Sequence, residues 1–121
     1  MRRILIPAGL IAALILSAGC GVGSTVDSKE ATDVLQIAAT TAVAYGVTHS
    51  GTYNGMDAAG LAMINGQLQW TDAEPQPGQI QIATADGDNY RLVYKNPKGA
   101  VFTATRQNGT VVFADAKGNK I

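Results

Sequence analysis

Hydrophobic and polar positions divide this chain into stretches of different period. Residues 4–18 form an apolar run without a charge, preceded by Met1-Arg2-Arg3. Over residues 28–48 apolar side chains recur at three-and-four spacing, with Ala31, Leu35, Ala38, Ala42 and Tyr45 on one face and Asp33, Gln36 and Thr40 on the other. That spacing predicts an amphipathic helix. Its polar stripe stops where Val43, Ala44 and Val47 take over, so the second half is expected to be covered on more sides than the first, by a sheet. Asp27 with Glu30 three residues on makes a capping box, Val26 is placed as a hydrophobic staple, and Ser50-Gly51 supplies a stop.

Inside the connector of residues 52–66, Asp57 can cap a second, shorter helix over residues 58–64, which Asn65-Gly66 ends. The period then changes to two. Ile80 and Ile82 alternate with Gln79 and Gln81; Tyr90, Leu92 and Tyr94 alternate with Arg91 and Lys95; Phe102 and Ala104 lie opposite Thr103 and Thr105; Val111 and Phe113 complete the series. The intervening turns, Asp86-Gly87-Asp88-Asn89, Asn96-Pro97-Lys98-Gly99 and Gln107-Asn108-Gly109, are short enough to join antiparallel neighbours. A fifth, weaker strand is expected over residues 67–70, ahead of the proline-containing loop 72–78. These elements predict an α+β fold in which one long N-terminal helix packs on a four- to five-stranded antiparallel meander sheet.

The apolar run ends in Leu16-Ser17-Ala18-Gly19-Cys20. Basic residues followed by an apolar stretch are the order of a bacterial secretory signal, and this stretch, at 15 residues, is shorter than the ~20 needed to cross a bilayer. Small residues directly before a cysteine resemble the lipobox of bacterial lipoproteins, with Ser17 where leucine is commoner. The resemblance implies cleavage between Gly19 and Cys20, a diacylglycerol thioether on Cys20 and acylation of the new amine. Acyl chains contribute ~0.8 kcal/mol per buried methylene, and two or three together anchor stably. Residues 1–19 are therefore expected as signal peptide, 20–26 as lipidated cysteine and flexible tether, and 27–121 as the domain held on the outer side of a cell membrane or outer membrane.

Removing residues 1–19 leaves 102 residues, enough for one domain with a modest core. The full chain carries nine basic and nine acidic residues. Since Arg2 and Arg3 leave with the signal, seven and nine remain. Such a balance argues against nucleic acid, which needs a clustered basic face. Cys20 is the only cysteine, so the domain has no disulfide and depends on packing.

The order of elements also resembles the globular headpiece of type IV pilins and pseudopilins. The resemblance is carried by Ala38-Ala39-Thr40-Thr41-Ala42-Val43-Ala44-Tyr45, by His49-Ser50-Gly51-Thr52-Tyr53-Asn54-Gly55-Met56 leading into Ala58-Ala59-Gly60-Leu61, and by the strands ending in Arg106-Gln107-Asn108-Gly109-Thr110-Val111. It implies a helix, a loop, a short helix and a sheet. Pilins assemble through a retained apolar helix that bears a glutamate and follows a Gly-Phe or Gly-Met junction. This chain has no Gly-Phe junction, no glutamate within its apolar run and a lipobox that would discard that run, so filament formation is not expected.

Candidate chemistry is sparse. His49 is the sole histidine and Ser50 its neighbour, but a nucleophilic triad needs a base within reach of the nucleophile and a third group to orient it. Asp86, Asp88 and Asn89 offer oxygen ligands to calcium, yet a hairpin tip uses the same residues for its backbone. No catalytic residue, metal or cofactor is expected. Tyr53, Asn54 and Trp70 lie in two loops that combine aromatic residues with glycine and proline, the composition of contact surfaces, and are the candidate partner contacts. The expected function is a lipid-anchored extracytoplasmic interaction or structural module, contacting the membrane through Cys20 and a protein of the envelope through these loops. A small-ligand carrier is the alternative, and a hydrolase comes behind it.

Overall fold

The computed structural model describes residues 22–121. The expected signal of residues 1–19, the cleavage site at Gly19 and Cys20 and the lipidation of Cys20 lie outside the described residues, as does the side chain of Val26. Along the chain follow α1 (Val22–Thr48), α2 (Ala58–Ile64), β1 (Gln69–Thr71), β2 (Gln79–Asp86), β3 (Asn89–Lys95), β4 (Val101–Gln107) and β5 (Thr110–Asp115). Two compact units divide it, Met1–Glu30 and Ala31–Ile121. The second holds the sheet, α2 and α1 from Ala31 onward, and the hydrophobic core lies within it.

Alternation sets the sheet. Ile80 and Ile82 of β2, Tyr90, Leu92 and Tyr94 of β3, and Phe102 and Ala104 of β4 turn to one face and are buried. They form a single core with Ala31, Leu35, Ala38, Ala42 and Tyr45 of α1 and with Tyr53, Met56 and Leu61. Each large apolar side chain taken from water in this way contributes roughly 1.5–3 kcal/mol. Ala83 is skipped in the pairing of β2 with β3, a bulge between Ile82 and Thr84 that returns Ala85 to the core side opposite Tyr90.

Strands β2 to β5 pair antiparallel in sequence order, while β1 joins β2 in parallel, with Gln69 opposite Gln79 and Thr71 opposite Gln81. The sheet is therefore mixed. This overturns the expected α+β architecture of one long N-terminal helix packed on a four- to five-stranded antiparallel meander, and the pilin-headpiece likeness with it. The cause lies in loop 72–78. A parallel neighbour requires the chain to travel back the length of the strand, and for a three-residue strand of about 10 Å those seven residues suffice without a crossover helix. Helix α2 is the helix that runs beside β1.

Two details of α1 also differ. The helix already runs from Val22, so Asp27 lies within it instead of capping it, and the expected tether of residues 20–26 is helical from Val22 on. At the other end the chain leaves through two left-handed residues, Ser50 and Gly51 (φ 62° and 80°). Gly51 N donates to Gly46 O at 2.7 Å, the six-to-one bond of a Schellman stop. The second half of α1 is not covered on additional sides: Val43 and Val47 are exposed.

Helix α2 forms where Asp57 caps it, its Oδ1 accepting from Gly60 N at 2.8 Å. Its remaining ends are tied to the β1 segment. Asp72 Oδ1 accepts from Ala58 N at 2.9 Å, and Trp70 Nε1 donates to Asn65 O at 2.9 Å. Among the described residues no helix is long and apolar enough to cross a membrane.

Candidate functional site

Exposed apolar surface concentrates on the outer side of the two helices. Helical periodicity places Ile37, Val43, Ala44 and Val47 on the face of α1 opposite Leu35, Ala38 and Ala42. Val47 is 74 % exposed, and Met63 of α2 is 89 % exposed with Ile64 beside it. Between the helices runs a groove of about 640 Å³ lined by Asp33, Gln36, Ile37, Thr40, Thr41 and Ala44 of α1 and by Ile64 and Asn65. From Asp33 to Ala44, at 1.5 Å per residue, it extends about 16 Å, or three turns. Its hydroxyls are already satisfied: Thr40 Oγ1 donates to Gln36 O and Thr41 Oγ1 to Ile37 O, both at 2.9 Å. A segment lying in the groove therefore strips water from apolar and self-bonded groups, with Asp33 as the one acidic residue in the lining.

Ile64 also borders a second depression of about 500 Å³, lined by Tyr45, Thr48, His49, Gly55, Asp57, Gly60 and Met63. Here His49 stacks on Tyr45, with ring centroids 3.8 Å apart and planes 6° from parallel. His49 Nδ1 is 2.8 Å from Tyr45 O. A carbonyl can only accept, so Nδ1 carries the hydrogen and in the neutral ring Nε2 is the acceptor. Ser50 follows in its left-handed turn. The histidine thus finishes the last turn of α1, its ring oriented by a backbone carbonyl.

The residues expected as partner contacts are put to other uses. Tyr53 is buried; its N–H donates to Gly87 O at 2.8 Å, and its ring meets Tyr90 edge-on, with centroids 5.0 Å apart. The Arg106 guanidinium carbon lies 5.6 Å from the Tyr53 ring centroid, and Arg106 Nε donates to Asp88 O. Asn54 is exposed, but its Oδ1 accepts from Gly87 N at 2.7 Å. Loop 52–54 therefore clasps both backbone groups of Gly87, the left-handed residue of the β2–β3 turn. Trp70 is half-buried and its indole N–H is spent on Asn65 O. Tyr53 and Asn54 sit at the hairpin tip and Trp70 at the end of α2, so they form two separate anchoring points.

Asp86 and Asp88 are exposed on either side of Gly87. Among the described residues no group of three or more His, Cys, Asp or Glu side chains could hold a metal ion. Inside the core, the Tyr90 hydroxyl has no hydrogen-bond partner. Burial pushes this phenol up to about 12, with Tyr53 adding to the rise and Arg106 opposing it. Sequence reasoning saw the signal for the exposed stripe, the loss of polar residues at Val43, Ala44 and Val47, and assigned its cover to a sheet. Met63, at the end of a seven-residue helix, gave too short a period to declare which side it faces.

Compared with known families, curated proteins and solved structures, the chain matches none.

Proposed function

We propose that this chain is a lipid-anchored extracytoplasmic interaction module whose groove between α1 and α2 receives an apolar helix of an envelope protein. The observation that carries the reading is the exposed apolar surface of the two helices: Ile37 and Ile64 line the groove, and Val47 and Met63 lie exposed on the same helices outside its lining. Exposed apolar surface of this kind, rimmed by polar residues, marks contact sites. Two features favour a helix as occupant. The lining runs three turns along α1, and Thr40, Thr41 and Ala44 within it are small side chains that admit close approach of another helix. The address comes from Cys20 and the residues before it, which resemble a lipobox. Filament formation is not part of the proposal.

A photo-crosslinker placed in turn at Ile37, Val47 and Met63 of the full-length chain in its native cells tests this, with Gln107 on the far side of the sheet as control. Crosslinks from the three helix positions should converge on one envelope protein at residues spaced by three and four. Equal yield from Gln107, or scattered attachment points, overturns the reading. Fatty-acid labelling lost in Cys20→Ser checks the anchor separately. A small-ligand carrier, using the depression beside His49, instead predicts that a bound metabolite co-purifies and is lost in His49→Ala.

A further inference from the structure

Charge is segregated along this chain. Between Lys29 and Arg91 there is no lysine or arginine, while residues 30–90 carry Glu30, Asp33, Asp57, Asp72, Glu74, Asp86 and Asp88. From Arg91 on the balance reverses, with six basic residues and Asp115 as the only acid. Within the unit from Ala31 onward the fold converts this linear asymmetry into a spatial one, because residues 31–64 supply its helical layer and residues 91–121 supply β3, β4, β5 and the tail, with Arg106, paired with Tyr90 and lying over Tyr53, as the exception on the core side.

Register decides which way the basic side chains point. Tyr90, Leu92 and Tyr94 face the core, so Arg91, Val93 and Lys95 face the other side of the sheet. Val93 lies opposite Thr103, Thr103 opposite Ala114, and Ala114 opposite Lys120. Directly paired residues share a face, so Lys120 stands on the same outer face as Arg91 and Lys95, three strand spacings or about 14 Å from β3. Lys98 and Lys117 occupy the turns at the same end of the sheet as Lys95. One acid, Asp86, shares the outer face, at the opposite end beside Asn89. The rest of that face is threonine, glutamine and valine with Ala114 and Asn89, and both helices lie elsewhere.

We propose that the outer face of the sheet is a membrane-facing surface that docks on anionic lipid headgroups and so turns the α1–α2 groove away from the bilayer. The proposal rests on the lipid anchor at Cys20. Only residues 21–30 separate Cys20 from Ala31, and from Val22 on they are helical at 1.5 Å per residue, so Ala31 lies within about 20 Å of the anchored cysteine. Within that reach an anionic surface favours each nearby basic side chain by roughly fivefold, hence on the order of a hundredfold for Arg91, Lys95 and Lys120 together. The acidic helix layer is repelled by the same surface. Since the attraction decays within a Debye length of about 8 Å, it acts on orientation once the lipid has fixed the distance.

The test uses the full-length lipidated protein in vesicles of phosphatidylcholine, with or without phosphatidylglycerol, that contain a nitroxide-headgroup lipid. With Cys20 acylated, a single thiol introduced by Val112→Cys on the outer sheet face, or by Met63→Cys on α2, takes a fluorophore selectively. On anionic vesicles the label at 112 should be quenched severalfold more than the label at 63. The difference should vanish on neutral vesicles, in high salt, or with Lys95→Glu combined with Lys120→Glu. Equal quenching at the two sites, or a preference indifferent to lipid charge, overturns the proposal while leaving the anchor intact. Mass spectrometry of the N-terminal peptide reads the anchor independently; an unacylated Cys20 overturns both.

Discussion

Gly60 of α2 lies flat against the ring of Tyr45. A β-carbon at position 60 would come within 2.9 Å of Tyr45 Cε2 and 3.2 Å of Asp57 Oδ1, so the two helices meet at a spacing that only glycine allows. The Tyr45 ring is held in place by His49, which stacks on it. Gly60→Ala should therefore destabilise the fold by ~1–2 kcal/mol although alanine is the better helix former, because forced overpacking typically costs 1–3 kcal/mol and the propensity gain is at most ~1 kcal/mol. Urea unfolding of the variant measures this, and a stabilised variant would show that the helices can move apart freely.

The Tyr90 hydroxyl should prove dispensable. A buried hydroxyl without a partner costs ~1–3 kcal/mol, so Tyr90→Phe should be neutral or stabilising by about 1 kcal/mol. The same group gives a pH signature. Its folded pKa of about 12 lies above the ordinary 10, so the folded state holds a proton that the unfolded chain releases first. Stability should be unaffected by this group below pH 10 and should fall between pH 10 and 12, and the fall should be smaller in Tyr90→Phe. Thermal melts of both proteins across that range provide the comparison.

Asn54 serves the fold, and its truncation should be felt as a loss of stability. Asn54→Ala leaves Gly87 N without its 2.7 Å acceptor, a cost of ~1–2 kcal/mol if water replaces it poorly. Asn54→Asp keeps an acceptor and should recover most of the loss. Amide exchange at Gly87, fast in the alanine variant and slow in the other two, is the direct readout.

The two faces of α1 should respond in opposite ways to charge. Ala42 is fully buried, so Ala42→Asp places an unpaired carboxylate in the core and should cost several kcal/mol. Val47 is largely exposed, so Val47→Lys should change stability by less than about 0.5 kcal/mol. Melting temperatures decide between them. If Val47→Lys destabilises as strongly as Ala42→Asp, Val47 is buried within this chain and the outer face of α1 is not free.

Period and turn chemistry made the strands readable: Ile80, Ile82, Tyr90, Leu92 and Tyr94 all face the core as alternation requires, and Asn108-Gly109 closes β4 onto β5 with both residues left-handed (φ 54° and 80°). Asp57 likewise marks the start of α2. The direction of β1 was not readable, because parallel and antiparallel strands share a period of two and the return path through Pro75 and Pro77 leaves no periodic trace. The ties that the candidate contacts make within the chain were hidden for a related reason. Tyr53, Asn54 and Trp70 have the composition of recognition residues, but composition cannot reveal that a backbone turn at Gly87 and a helix end at Asn65 have already taken their polar atoms. Apolar residues at Val43 and Val47 say only that something covers them, and sequence does not say whether the cover belongs to the same molecule.

Because Asp72 holds the first turn of α2 and Trp70 holds its end, the short helix and the three-residue strand rise and fall together. An edge strand of that length has little ladder of its own to resist fraying, so residues 58–71 form the part of the domain expected to open cooperatively while β3 and β4 stay closed. This latch forms one wall of the groove. A helix lodged there must slow the opening, and the Trp70 indole proton, bonded to Asn65 O at the groove's edge, becomes a reporter of occupancy through its rate of exchange with solvent.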